Sequence, residues 1–179
     1  MAEPLVVHEM AHQWWGDMIT CASWHHIWLN EGWATYGESL FWESRGGLEA
    51  LKANMATTAY YGPGTIFVDN PEENPGRIFS GALSYNKASW VVHMLRHVVG
   101  DEDFFAATKK YLGEERRDTY RSVTTSEFKQ FYEDESDFYK FYFYIPEGKI
   151  VAAYDRDGKI LYTVERFKNV ALPNSVTDA

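Results

Sequence analysis

His8-Glu9-Met10-Ala11-His12 is the stretch of this 179-residue chain whose residue types and spacing could do chemistry. Two histidines four apart lie one above the other on a single helix face, so both imidazoles can reach one ion. Glu9 projects about 100° round the helix from His8 and can flank a metal without binding it. This HExxH arrangement predicts two zinc ligands and a carboxylate able to take a proton from water. A third ligand is needed, and Glu31 is the candidate, in the segment Trp28-Leu29-Asn30-Glu31-Gly32-Trp33. The gap from His12 accommodates the end of one helix, a loop and the start of another. Glu38 lies two turns further along on the same face as Glu31, placed to accept the free ring N–H of a ligating histidine. Val6, Val7, Ala11, Trp14 and Trp15 surround the histidine pair. Chance matches arise in exposed polar helices, which do not carry such neighbours.

Three signatures follow one another in the chain: VVHEMAHQWWGD at 6–17, WLNEGWATYGE at 28–38 and SYNKASWVVHMLR at 84–96. In this order and spacing they resemble gluzincin zinc metallopeptidases of the aminopeptidase N and leukotriene-A4 hydrolase type. The resemblance runs from about Val6 to about Tyr144. It implies His8, His12 and Glu31 as ligands of one Zn2+ per chain, Glu9 as general base and Glu38 as a carboxylate behind a ligand. It also implies Tyr85 as the phenol that stabilises an oxyanion. The third signature departs from the usual Tyr-Glu-Lys-Gly: here it reads Tyr85-Asn86-Lys87-Ala88, which bears on loop geometry rather than on Tyr85 itself. The implied fold is mainly α, the helical lower half of a thermolysin-like zinc peptidase domain, followed by a C-terminal β-hairpin. The family's upstream sheet and its amine-capturing Gly-x-Met-Glu-Asn motif have no counterpart here. The expectation is therefore a catalytic-domain fragment with ligands present and substrate cradle absent.

The bulk numbers set the frame. A net charge of −9 argues against a nucleic-acid partner. One cysteine, Cys21, excludes an internal disulfide and reads as a small buried thiol. No run is long enough to span a bilayer, no signal peptide precedes the first helix, and the compartment is left open. Aromatic residues make up 17% of the chain, and most of the tryptophans read as core packing with one or two free to line a pocket.

Around the motifs, Leu5 to about Ile19 reads as the metal-binding helix and Thr20 to Ile27 as a loop. His25 and His26 point different ways from that loop and read as loop or surface residues. Leu29 to Arg45 is a second helix stopped by Gly46-Gly47, and Leu48 to Tyr61 a third. The Pro- and Gly-rich stretch 62–84 is a long loop leading to Tyr85. Asn86 to Val99 is a fourth helix, on which His93 and His97 repeat the four-residue spacing without a third ligand and read as packing. Asp101 caps a fifth through about Glu115, and Thr124 with Glu127 forms a capping box opening a sixth. Phe138 to Tyr144 reads as a short aromatic helix or its remnant. The period then changes to two, with Ile150–Tyr154 and Ile160–Val164 flanking a Gly158 turn. The division is 1–144 helical and 145–179 the start of a β segment.

The function these readings predict is peptide hydrolysis by a zinc-activated water, most simply removal of N-terminal amino acids from peptide substrates. An endopeptidase or epoxide hydrolase with the same zinc site is the alternative within enzymes. A non-catalytic, zinc-stabilised helical module is the alternative outside them. Helix faces left bare by the missing sheet favour self-association.

Overall fold

The computed structural model describes residues 3–113 and 120–135, together with short strands at 140–142, 152–154 and 160–163. The architecture is mainly α, as expected. Helix α1 spans Glu3–Ala11, α2 Trp28–Thr57, α3 Ala88–Val99, α4 Asp101–Leu112 and α5 Thr125–Glu135. Strand β1 (Ile19–Cys21) pairs in parallel with β2 (Arg121–Val123). Strands β3 (Lys140–Tyr142), β4 (Ala152–Tyr154) and β5 (Ile160–Thr163) form an antiparallel sheet in that order.

Helix α2 is the axis of the fold, with α1 and α3 packed along it. Its buried face runs Trp28, Leu29, Gly32, Trp33 and Tyr36, the three- and four-residue repeat of a helix with one side in a core. Trp33 stacks on Trp15 at 3.9 Å and on Phe104 of α4 at 5.6 Å. Phe128 and Tyr132 of α5 join the same cluster. Of the tryptophans, Trp15, Trp28 and Trp33 are buried, whereas Trp14 and Trp24 are exposed.

The first helix ends much earlier than its apolar periodicity suggested. After Ala11 the chain unwinds: Gln13 N–H bonds Met10 O at 3.1 Å, and Asp17 N–H bonds His12 O at 2.9 Å. Gly16 adopts φ 149°, where a side chain would be strained. The unwinding turns Trp15 into the core. An indole removes roughly 150–250 Å² from water, worth about 4–6 kcal/mol at ~25 cal/mol per Å². That exceeds the net contribution of about 1 kcal/mol from each helical hydrogen bond forgone.

Other boundaries also differ. The stretch read as a loop from Thr20 holds β1 and a 3-10 turn at Trp24–His26; β1 exists only because β2, a hundred residues later, supplies its partner. The stop expected at Gly46-Gly47 is present: Gly47 sits at φ 67°, ψ −163°, outside helical geometry, so α2 is two helices that meet at a kink there. The loop from 62 contains a 3-10 turn at Pro75–Arg77 and ends in a π-helix at Gly81–Lys87. Within the expected aromatic helix at 138–144, residues 140–142 form β3, pairing with β4, in keeping with the strand preference of aromatic residues. The hairpin is present as β4 and β5, and its turn lies outside the described residues. The capping box forms as read: Glu127 N–H bonds Thr124 Oγ1 at 3.2 Å, and Thr124 N–H bonds Glu127 Oε2 at 2.7 Å.

Arg96 locks α2, α3 and α4 together. Only 5% exposed, it forms paired hydrogen bonds to Glu43 at 2.6 and 2.8 Å and to Asp101 at 2.9 and 2.7 Å. It also donates to the Tyr36 hydroxyl at 3.3 Å. Hydrogen bonds to charged groups contribute about 1.5–3 kcal/mol, and both carboxylates can rehydrate when the arginine is removed. Arg96→Met is expected to lower the unfolding free energy by about 2 kcal/mol. Urea unfolding checks this, and an unchanged midpoint would mean that the clamp contributes nothing.

Candidate metal centre

Helix α1 presents His8 inward, 8% exposed, and the first turn of α2 presents Glu31, also 8% exposed. His12 lies just past the end of α1, where its N–H still bonds His8 O at 3.3 Å. Glu31 Oε2 stands 3.3 Å from His8 Nε2 and 3.3 Å from His12 Nε2. Among the described residues these three form a group whose ligand atoms all lie within 4.8 Å of one another. Tetrahedral zinc, with bonds of about 2.0–2.2 Å, separates its ligand atoms by about 3.3–3.5 Å. Both nitrogen–oxygen spacings match, and two imidazoles with one carboxylate is a donor set suited to an open zinc site. The residues present fit the ion.

The second nitrogen of each ring is fixed. His8 Nδ1 donates to Glu38 Oε1 at 2.9 Å, the contact the spacing of Glu38 suggested. His12 Nδ1 donates to the backbone carbonyl of Trp15 at 2.9 Å. Both Nε2 atoms therefore face Glu31. The Trp15 carbonyl was not legible in the sequence, because a backbone oxygen leaves no residue-type signal. The adjacent Gly16 is the one hint that the chain turns back there.

Electrostatics at this cluster favour positive charge on the rings and negative charge on Glu31. Burial opposes charge on His8, but hydrogen bonds to Glu31 and Glu38 and their negative charges overcome it and lift its pKa to about 9. His12 is raised as well, chiefly by Glu31. Burial pushes Glu31 upward, but its two histidine partners outweigh that and bring it down to about 2. Position in the first turn of α2 adds the helix dipole in favour of the carboxylate.

Tyr85 lies within the π-helix, its ring stacked over His8 with centroids 5.8 Å apart. Burial first, then the Glu31 charge, push its phenol up to about 12, so it stays a proton donor at neutral pH. Glu9 is exposed, and its charge also acts on Tyr85. The loop before Tyr85 is held by two cations. Lys87 Nζ donates to Gly62 O at 3.2 Å and Gly64 O at 2.6 Å. Arg77 bonds Thr65 O and, at 3.1 Å, Ser84 Oγ.

The remaining histidines are structural. His93 is buried against α2, accepting from the Tyr36 hydroxyl at 3.1 Å, and burial and Arg96 lower its pKa to about 4. Neither it nor His97 joins a metal-ligating group among the described residues. His25 and His26, read as loop or surface residues, lie half-buried in the 3-10 turn between β1 and α2. His25 Nδ1 bonds Val68 O, and His26 Nδ1 bonds Thr125 Oγ1 at 2.9 Å, tying the approach to α2 to the loop at 68 and to the start of α5. Cys21 is half-buried and free, its thiol raised by burial.

The profile of the peptidase family M1 domain matches residues 1–143. Aminopeptidase N of Lactococcus lactis subsp. cremoris (strain MG1363) is 36% identical over 121 residues, covering 60% of this chain and 14% of its own length. Probable aminopeptidase 2 of Sulfurisphaera tokodaii is 34% identical over 140 residues, covering 69% of this chain and 17% of its own length. An M1 zinc metallopeptidase from Deinococcus radiodurans, solved as a mutant bound to a Tyr-Ser-Ala substrate, superimposes with a TM-score of 0.61 at 32% identity. That match covers 74% of this chain and 29% of the other. The chain thus spans less than a third of each of these proteins.

Because His8 is raised from 6.5 to about 9, its contribution to metal-free stability is full below pH 6.5 and is lost as pH rises through 9. Glu31, lowered from 4.5 to about 2, contributes above pH 4.5 and loses that contribution as pH falls towards 2. The site's contribution to the melting temperature of the metal-free chain is expected to be greatest between these limits. Zinc must displace the His8 proton, so affinity is expected to rise with pH through 9. Calorimetric titration at pH 7 in buffers of different ionisation enthalpy measures the released protons; none released would contradict this electrostatic reading.

Proposed function

The chain belongs to peptidase family M1, and on that premise we propose that it carries the zinc-binding catalytic helices of an aminopeptidase, with His8, His12 and Glu31 as ligands of one Zn2+. The observation that carries the proposal is the single Glu31 oxygen standing 3.3 Å from both imidazole nitrogens. Zinc held there supplies Lewis-acid chemistry, polarising the scissile carbonyl and bringing the pKa of water towards ~7.

The chain's own residues do the rest. Glu9, exposed beside the cluster, takes the proton of the attacking water and passes it to the departing amine. Tyr85, kept protonated by burial and by Glu31, donates a hydrogen bond to the oxygen that gains charge as the carbonyl carbon becomes tetrahedral. Glu38 and the Trp15 carbonyl hold the two imidazoles in the tautomer that leaves Nε2 for the ion. Peptides with a free amino terminus are the proposed substrates, supported by the aminopeptidase names of the relatives and by the Tyr-Ser-Ala bound to the Deinococcus radiodurans protein.

Two further readings belong with this one. The segment from 145 belongs to a separate β unit, supported by the ladder of β4 and β5; β3, just before that boundary, pairs with β4. Self-association is supported by the outer side of α1 and the turn after it, where Leu5, Val6, Met10 and Trp14 are all exposed. No helix of the described residues is long and apolar enough to cross a membrane.

Glu9→Gln is expected to retain one zinc per chain while peptide turnover collapses; hydrolysis at the parent rate would remove Glu9 as the base. Glu31→Ala is expected to lose the metal, read by elemental analysis of the purified protein. Tyr85→Phe is expected to slow hydrolysis of a tripeptide by on the order of 10²–10³ at unchanged metal content. Sedimentation velocity tests association, and a monomer at all concentrations would count against it.

A further inference from the structure

Two glycines of α2 lie between Glu31 and Glu38, and each lies against an alanine of a different neighbour. Gly32 directly follows Glu31. A Cβ placed on it would meet the Ala88 methyl at 2.6 Å and the Ala88 carbonyl carbon at 3.0 Å. Ala88 opens α3, three residues after Tyr85. Gly37 directly precedes Glu38, and a Cβ there would meet the Ala11 methyl at 3.1 Å. Ala11 lies between Glu9 and His12 on α1. Five residues at about 100° each put the two glycines about 140° apart round the helix, so they face different partners.

We propose that Gly32 and Gly37 are positioning residues that set two spacings separately: Gly32 sets the distance of Tyr85 from the metal cluster, and Gly37 sets the distance of the His8–His12 pair from Glu31. Carbon atoms in contact settle at about 3.5–4.0 Å. A methyl at 32 must therefore drive the start of α3, and Tyr85 with it, outward by about 1 Å. Neither Ala88 nor its backbone has a flexible end that could yield instead. A methyl at 37 needs a shift of only a few tenths of an ångström, and that shift falls on the helix bearing the histidines. This inference rests on the metal centre proposed above, and its Tyr85 half on the role given to that phenol.

The test uses the full chain loaded with Co2+, with tyrosine labelled with carbon-13 at the ring Cζ. The Tyr85 resonance is assigned by its loss in Tyr85→Phe. Paramagnetic broadening of that resonance falls with the inverse sixth power of its distance from the ion. Gly32→Ala is expected to bind cobalt with a dissociation constant within about threefold of the parent, while the Tyr85 broadening drops about twofold or more. Gly32→Ala/Ala88→Gly, which moves the methyl to the other wall, is expected to recover most of it. Gly37→Ala is expected to weaken cobalt binding about tenfold and to keep the Tyr85 broadening at saturation.

A general loss of stability would move both readouts in both variants. That result, or unchanged Tyr85 broadening in Gly32→Ala, would overturn the proposal. If Gly32→Ala does not fold, folding of the double variant assigns the failure to the methyl clash and supports it; failure of both overturns it. If the parent binds no cobalt, the metal reading falls. The spacing is then decided in the metal-free chain by cross-relaxation between the Tyr85 and His8 rings, which must weaken in Gly32→Ala. If Tyr85→Phe hydrolyses peptide at the parent rate, only the role of the phenol falls.

Discussion

A carboxylate buried between two imidazoles is the constraint from which the rest follows. Glu31 is 8% exposed, and an unpaired charge at such depth costs several kcal/mol. The chain answers by bringing His8 of α1 and His12 just past its end to the same oxygen. With no metal, the carboxylate favours a proton on either ring, which is why the histidines rise and Glu31 falls. A divalent cation can take the place of that proton. One arrangement thus holds α1 against α2 and gathers three groups able to ligate an ion.

The surroundings turn that attraction into a defined geometry. His8 is fixed from behind by Glu38, and His12 by a carbonyl made available because α1 unwinds after Ala11. The same unwinding sends the Trp15 side chain onto Trp33 and Tyr111. Trp15 therefore serves the site with its backbone and the core with its ring. Through Trp33, Phe104 and Phe128 that core reaches α4 and α5. The histidine orientation is thereby supported by residues a hundred positions away.

Tyr85 is delivered to His8 by a π-helix, a rare geometry frequently found at functional sites. Its long approach loop is held by Lys87 and Arg77 rather than by a regular element. Ala88 and Asn86, where the third signature departs from the resembled pattern, do not displace Tyr85 from His8. The Ala88 methyl is accommodated because residue 32 has none. Arg96, further along α3, fastens the same pair of helices at their far end through Glu43.

Local pattern was enough for some of this protein and not for the rest. The four-residue spacing of His8 and His12, the two-turn spacing of Glu31 and Glu38, the capping box and the apolar face of α2 are all properties of a few neighbouring residues on a helix of known pitch. They were legible for that reason. The end of α1 was not, because a long-range indole contact outweighed local helix propensity. Nor were β1, which depends on a partner strand from the other end of the helical region, or the π-helix and its cation-held loop. The site divides in the same way. Residue types along the chain determined which groups could meet an ion. Only the tertiary structure decided that they meet, because their convergence depends on how closely α1 and α3 approach α2, and that is fixed by contacts between atoms far apart in sequence.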